Sequence, residues 1–347
     1  MSTDLMAILN PKRPLIVAPM AGGPSSPALI AAACNAGALG SMGAAYSTPQ
    51  AIGAFAAEIR ARTDRPFAIN LFAPHKQPEV ADDRIATAIA ATAPYRRELG
   101  LPTPELSPPF EEDFNLQFEA VMRAKPAILS FVFGLPPPHC VEAAHKESIA
   151  VVGTATTVEE ALALQEVGVD AIALQGIEAG GHRGIFDPDA EDREIGLFDL
   201  LDACVPKIHR PLIAAGGLMT AGDIRKALGK GARAVQLGTA FLACREAGTS
   251  APYKARLLEA PMRTTRTTRA FSGRLARGIE NRFMTEIDAQ PRSILPFPAQ
   301  NKFTRDLRGR SAEIGSSECL SLWAGTGAGD LWTGPAADLI GKLFPDS

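Results

Sequence analysis

Short apolar runs rich in Val, Ile, Leu and Ala recur along the chain, and most give way to glycine or a polar residue and then to a helical pattern. Eight of them read as strands: Leu15–Pro19, Ala38–Met42, Phe67–Leu71, Ala127–Val132, Ala150–Gly153, Ala171–Leu174, Leu212–Ala215 and Ala234–Leu237. The runs are continuous rather than alternating, as in a parallel sheet buried on both faces. Between them the pattern predicts helices such as Pro27–Asn35, Pro49–Arg62, Val158–Val167 and Ala221–Leu228. Ser26 and Thr48 each precede a proline at the first helical position, and Thr220 is a third N-cap.

Eight strands alternating with helices could be doubly wound. Most repeats, however, run about 22–29 residues, the period of a closed (β/α)8 TIM barrel. Two gaps exceed it: the Pro-rich segment Ala73–Lys125 and the Gly-rich, charged loop Gly176–Gly196. A long tail also follows Gly238. The fold class expected is α/β, a (β/α)8 TIM barrel with an additional, mostly helical cap. Residues 1–72 and 126–250 would build the barrel, and 73–125 with 251–347 the cap and substrate domain.

At 347 residues the chain suits one large α/β domain or two smaller ones at about 150 residues each. Lys+Arg 35 against Asp+Glu 38 leaves a net charge of −3 with no basic stripe, so neither nucleic acid nor an anionic membrane is an expected partner. The start MSTDLMAILNPKRP lacks the apolar stretch of a secretory signal, and no apolar run is long enough to span a bilayer. Cys34, Cys140, Cys204, Cys244 and Cys319 are far apart and odd in number, which reads as five small core residues in a reducing cytoplasm.

In barrels of this kind chemistry sits at the C-terminal strand ends. Those ends supply Met20, Ala21 and Gly22, Met42, Asn70, Gly134, Thr154, Gln175, Gly216–Gly217 and Gly238–Thr239, with no Lys and no cluster of Asp, Glu and His. A Schiff-base nucleophile and a metal site are therefore disfavoured. Amides, hydroxyls and glycines bind a planar cofactor well and do little chemistry unaided, so a cofactor should carry the reaction. The turn after Ile213–Gly217 and the turn Gln236-Leu237-Gly238-Thr239 each free backbone N–H groups ahead of a helix, which marks an anion site after the last two strands.

The run Gln175-Gly176-Ile177-Glu178-Ala179-Gly180-Gly181-His182-Arg183-Gly184 is the most informative. Its glycines let backbone approach a ligand, and His182 lies among them. An imidazole there could abstract a proton, bond an anionic substrate or order the loop. Arg183 fits a loop or surface ion pair, and Glu178 an acceptor of local N–H groups. His75, His139, His145 and His209 read as ordinary surface residues.

Pro14–Gly23, the strand end at Asn70, QGIEAGGHRG at 175–184, AAGG at 214–217 and QLGT at 236–239 together resemble the nitronate monooxygenases, collinearly over about residues 14 to 245. The resemblance implies FMN bound by the Met20 backbone, Asn70 and Gln175. Gly180, Gly181, Gly216, Gly217 and the turn Gln236–Thr239 would sit at its ribityl phosphate end, and His182 would face the substrate. The implied reaction is oxidation of alkyl nitronates such as propionate 3-nitronate by O2, giving a carbonyl compound and nitrite. A homodimer stays open. Two departures bear on substrate: Phe297 stands where the family pattern suggests Tyr, and Phe110 resembles a similar change. Tyr253 and Lys302 are candidate substrate-side groups, the Lys as counter-charge for a carboxylate. Trp323–Gly329 resembles the family's tail. Two rival activities remain at this level: an NAD(P)H-dependent flavin reductase of quinones or enoyl thioesters, and a flavin-free isomerase or synthase of phosphorylated metabolites.

Overall fold

The eight apolar runs form eight parallel strands that close into one barrel in the computed structural model, which describes residues 8–10, 12–259, 265–327 and 331–345. In chain order they are β1 (Leu15–Val17), β2 (Leu39–Gly43), β3 (Ala68–Phe72), β4 (Ile128–Val132), β5 (Ala150–Ala155) and β6 (Ala171–Gln175). After a two-residue strand outside the barrel, β7 (Gly181–His182), come β8 (Leu212–Ala215) and β9 (Ala234–Leu237). β9 pairs with β1, Ile16 opposite Gln236, and so closes the cylinder.

Side chains alternate across a strand, and here both sides are apolar. Ile16, Leu39, Ala68, Ile128, Ala150, Val152, Ala171, Ala173, Ile213 and Ala234 form one buried cluster filling the barrel, with Leu9 packed into it. Their neighbours Val17, Ile69, Leu129, Val151, Ile172, Leu174, Ala214 and Val235 pack outward against the helices. The helices start where capping chemistry placed them. Ser26 accepts from Leu29 N–H, Thr48 from Ala51 N–H, and Thr220 forms a capping box with Asp223.

The cap differs from expectation in two ways. The helix Phe114–Ala124 buries Ala120, Val121 and Ala124 in the barrel shell, and the helix Ala336–Leu343 buries Ala336, Leu339, Ile340 and Leu343 there. Both belong to the barrel's outer ring, so the division into 73–125 plus 251–347 overstates the cap. The cap is also not only helical. β10 (Thr265–Thr268) and β11 (Ala276–Ile279) pair antiparallel, and β11 pairs with β7. Strands of two to four residues rich in Thr, Arg and Gly are too short to show an alternating pattern. The cap's own core joins Tyr95 and Leu99 of the helix Asp82–Leu99 to Phe271, Phe283, Met284, Ile287 and Leu307. All five cysteines are buried and free. Among the described residues no helix is long and apolar enough to cross a membrane.

Candidate active site

The residues that fill the barrel also dictate what lines its mouth. Stepping two positions along the strands from the inward-facing set gives Ala18, Asn70, Thr154, Gln175, Ala215 and Gln236, and stepping four along β4 gives Val132. All seven line a cavity of about 630 Å³ between barrel and cap. The inward stripe thus turns from aliphatic to amide and hydroxyl on reaching the mouth, which makes the barrel top a binding surface.

One side of this cavity is bare backbone. Met20, Ala21, Gly22, Gly180, Gly181, Gly216, Gly217, Leu237, Gly238 and Thr239 all line it. The N–H groups of Gly217 and Gly238 find no acceptor among the described residues. Gly217 has φ +69, and a Cβ there would stand 2.9 Å from Glu178 Cβ. At Gly180 a Cβ would reach within 2.5 Å of the Ala324 and Gly325 backbone. The tail Trp323–Gly327 explains that crowding: Gly325 N–H donates to Thr239 Oγ1 at 3.0 Å and Thr326 N–H to the Glu178 carbonyl at 3.0 Å. The tail therefore closes the rim of the glycine cradle, and it carries no dinucleotide fold. Unpaired N–H groups beside small residues fit a phosphate-bearing, planar group. Asn70 adds an amide whose nitrogen is held by Ser130 Oγ at 3.0 Å.

The loop after β6, which supplies Gly180 and Gly181, adjoins the cradle. Gln175 spends its whole amide on it: Nε2 donates to the His182 carbonyl at 3.0 Å, and Oε1 accepts from Arg183 Nη1 and Gly184 N–H, each at 2.8 Å. Arg183 is fully buried, not a surface residue, and pairs with Asp192 at 2.6 Å while donating to the carbonyls of Gln175 and Gly176. Glu178 accepts from Leu197 N–H. β11 pins the other edge, with His182 opposite Ala276 and Arg183 N–H donating to the Leu275 carbonyl.

His182 Nε2 lies 2.8 Å from Ser272 Oγ, and that hydroxyl lies 3.0 Å from the Arg274 carbonyl. The carbonyl can only accept, so it takes the single hydroxyl proton, and His182 must donate from Nε2. Nδ1 is left as the acceptor. Burial, with the charges of Arg274 and Arg308 adding to it, pushes His182 down from 6.5 to about 3. The imidazole is therefore neutral.

An aromatic wall surrounds it. Phe133, Phe297 and Trp323 stand with ring centroids 5.7, 6.4 and 5.6 Å from the His182 ring. Phe72 packs on Phe133 at 4.5 Å and Tyr46 on Phe72 at 5.3 Å. Arg274 stacks over Phe133 at 3.8 Å from behind. The candidate substrate groups divide. Tyr253 lines the cavity, its hydroxyl donating to the Trp323 carbonyl. Phe297 supports the wall from a second layer. Lys302 stands outside the cavity, held by the carbonyls of Ser107 and Pro109 at 2.9 Å, and Phe110 is buried in the cap against Leu295 and Phe303. His75, which reads as a surface residue, is half-buried against Phe297 at 5.3 Å. Tyr46, Ser272, Arg305 and Arg308 carry no signal in the sequence: Tyr46 stands in the loop after β2 without a motif, and the other three come from cap segments whose approach to the mouth depends on how the cap folds back.

A model of the family described as nitronate monooxygenase matches residues 3–346. A nitronate monooxygenase of Paraburkholderia phytofirmans is 39% identical over 345 residues, covering 98% of this chain and 93% of that protein. Among solved structures, nitroalkane oxidase from Streptomyces ansochromogenes superposes with a TM-score of 0.91 at 35% identity, covering 99% of this chain and 97% of the other. FabK from Thermotoga maritima superposes at 0.75 with 24% identity, covering 99% and 96%, a likeness that shows the common fold alone.

Proposed function

The chain belongs to the nitronate monooxygenase family of flavin-dependent oxidoreductases, and from that premise we propose that it is an FMN enzyme that oxidises alkyl nitronates, such as propionate 3-nitronate, with O2 to a carbonyl compound and nitrite. The observation that carries the reading is the position of His182, neutral and set in an aromatic wall beside the glycine cradle, in the one cavity both line.

In this reading the N–H groups of Gly217 and Gly238 hold the cofactor phosphate, with Gly180, Gly181, Gly216 and Thr239 shaping the space around it. Met20, Ala21, Gly22, Asn70, Gln236 and Leu237 border the rest of the cofactor. When bound, FMN supplies electron acceptance from the nitronate and reactivity toward O2. The chain's own residues bind, orient and exclude water. The rings of Phe72, Phe133 and Trp323 keep the reacting position dry, and His182 Nδ1 faces it as a hydrogen-bond acceptor or base. A base held near 3 is a weak one, so extracting a proton from a neutral nitroalkane is steeply uphill. A nitronate has already lost that proton, which is why it is the better-matched substrate. Tyr253 fixes Trp323 and is a supporting residue in this scheme.

The cofactor half of the reading is tested by purifying the protein, recording its visible spectrum and identifying the released chromophore by mass. FMN is the expected result; a colourless protein that reconstitutes with no flavin would overturn it. Anaerobic mixing with NADH separates the activity from that of a reductase, for which rapid bleaching of the flavin would be the signature.

A further inference from the structure

Behind the aromatic wall lies a buried cation that holds no acid. Arg274 stands in the turn between β10 and β11 and is 3% exposed. Its guanidinium donates only to the carbonyls of Ile185 and Phe186, and its Nε has no partner. Among the described residues no carboxylate forms an ion pair with it. The acids whose charges reach it, Glu160 and Asp187, accept instead from Thr156, Phe186 and Asp189. Burial lowers Arg274 from 12.5 to about 10, which leaves it charged at neutral pH. A buried charge without a counter-ion is costly unless something else in the molecule makes use of it.

One ring separates this charge from the cavity. Phe133 lines the cavity and Arg274 does not. The Arg274 Cζ lies 3.8 Å from the Phe133 ring centroid, and that ring meets the His182 ring at 5.7 Å and an interplanar angle of 81°. Phe133 holds its place at φ +76, the left-handed region that a bulky side chain rarely enters. A bare phenyl face is electronegative and repels an anion; a guanidinium on one face offsets that repulsion on the other side. The field crosses the wall, since the Arg274 charge lowers both His182 and His75. No Asp or Glu lines the cavity to oppose it. The guanidinium is also separable from the clamp on His182. Ser272 donates to the Arg274 carbonyl and accepts from the Arg274 N–H at 3.2 Å, and both are backbone groups.

We propose that Arg274 is a positioning residue that sets the charge preference of the reaction space: acting through Phe133 and not by contact, its guanidinium favours an anionic ligand over a neutral one of the same shape. This rests on the nitronate reading above and adds to it the residue that discriminates a nitronate from its parent nitroalkane. A unit charge in a medium of effective dielectric about 20, one ring's thickness from the ligand, is worth roughly 10- to 30-fold in the affinity for a monovalent anion. The charges of Arg305 and Arg308, which line the cavity, are a background common to every Arg274 variant.

Nitrate and nitromethane are close in size and share a planar NO2 group, but only nitrate is charged at neutral pH. Each is titrated anaerobically into the flavin-loaded protein, and the flavin spectrum reports binding without turnover. Wild type is expected to bind nitrate the tighter of the two. In R274M, and in R274Q, which keeps donors for the Ile185 and Phe186 carbonyls, that preference should fall by roughly 10- to 30-fold. R274K should keep most of it. In turnover, the ratio of kcat/KM for a nitronate over its parent nitroalkane should fall in R274Q by a similar factor. A merely structural role would weaken both ligands alike, so an unchanged preference in R274M and R274Q would overturn the proposal. Should both neutral variants lose the flavin, wild type and R274K decide. Nitrate bound no tighter than nitromethane by wild type overturns the proposal, as does a preference that R274K loses; one that R274K retains upholds it. Absence of nitrite formation from any nitronate would remove the proposed activity and leave the outcome of the nitrate titration standing.

Discussion

Gln175 Nε2 donates to the His182 carbonyl at 3.0 Å, while the same amide's oxygen accepts from Arg183 and Gly184. One side chain at a barrel strand end therefore fixes the backbone on both sides of the imidazole. Replacing it with an apolar residue of similar length, Q175L, removes three bonds and leaves the Gly184 N–H wanting a partner, while Arg183 Nη1 keeps the Gly176 carbonyl. The expected cost is roughly 10- to 100-fold in kcat with flavin still bound, from misplacement of His182 by a fraction of an ångström. Steady-state kinetics and the ratio of visible to protein absorbance check it; an unchanged kcat would show that the loop holds His182 without Gln175.

H182N keeps a polar side chain and removes the ring acceptor. Activity on a neutral nitroalkane should fall by roughly 10²-fold or more, the usual size of a lost base, and activity on the preformed nitronate by less than about 10-fold. Wild type should itself prefer the nitronate. Equal losses on both substrates would remove proton abstraction from the account.

The low His182 value also has a sign in stability. With a folded value of about 3 against an ordinary 6.5, the unfolded chain binds more protons between those limits. The contribution of His182 is thus constant above the ordinary value and is lost as pH falls below it. Glu111 acts oppositely: burial pushes it up from 4.5 to about 7, so its contribution is lost as pH rises through that window. Comparing urea unfolding of wild type and H182N at about pH 7 and about pH 5 isolates the His182 part. Wild type should lose more stability than H182N on acidification. Activity on nitronate should show no inflection at the ordinary histidine value.

At Gly180 the tail crosses so closely that a Cβ would lie 2.5 Å from the Gly325 nitrogen. G180A should push the tail off the cradle and cost about 1–3 kcal/mol, the usual price of overpacking. Flavin content and thermal unfolding with and without added FMN measure it. Full retention of flavin would show that the tail does not shape the cofactor end.

The barrel was legible because its signal is long and repeated. Most barrel strands are apolar runs with Ile, Val, Leu or Ala on both faces, and caps such as Thr220 mark the helix starts. The glycine cradle was legible for the same local reason, since the residues after β8 and β9 act where they stand in sequence. The substrate side was not. Ser272 reaches His182 across a separation of 90 residues, and Arg308 lines the same cavity as Tyr46 only because the cap helix Arg305–Glu313 folds over the mouth. A lysine such as Lys302, read as a counter-charge by chemistry alone, turned out to brace a cap loop, while the arginines one and two turns further along its helical stretch face the cavity. The segment 73–125 reads as cap because it is a long Pro-rich insertion, yet the helix Phe114–Ala124 at its end buries Ala120 and Val121 in ordinary barrel packing.

Nitrite release is the most direct measure of the central claim. The flavin-loaded protein is mixed aerobically with propionate 3-nitronate, and nitrite, O2 uptake and the oxidation of added NADH are followed together. The account predicts nitrite formation with O2 consumed and NADH untouched. No nitrite, with NADH oxidised and the flavin reduced, would contradict it.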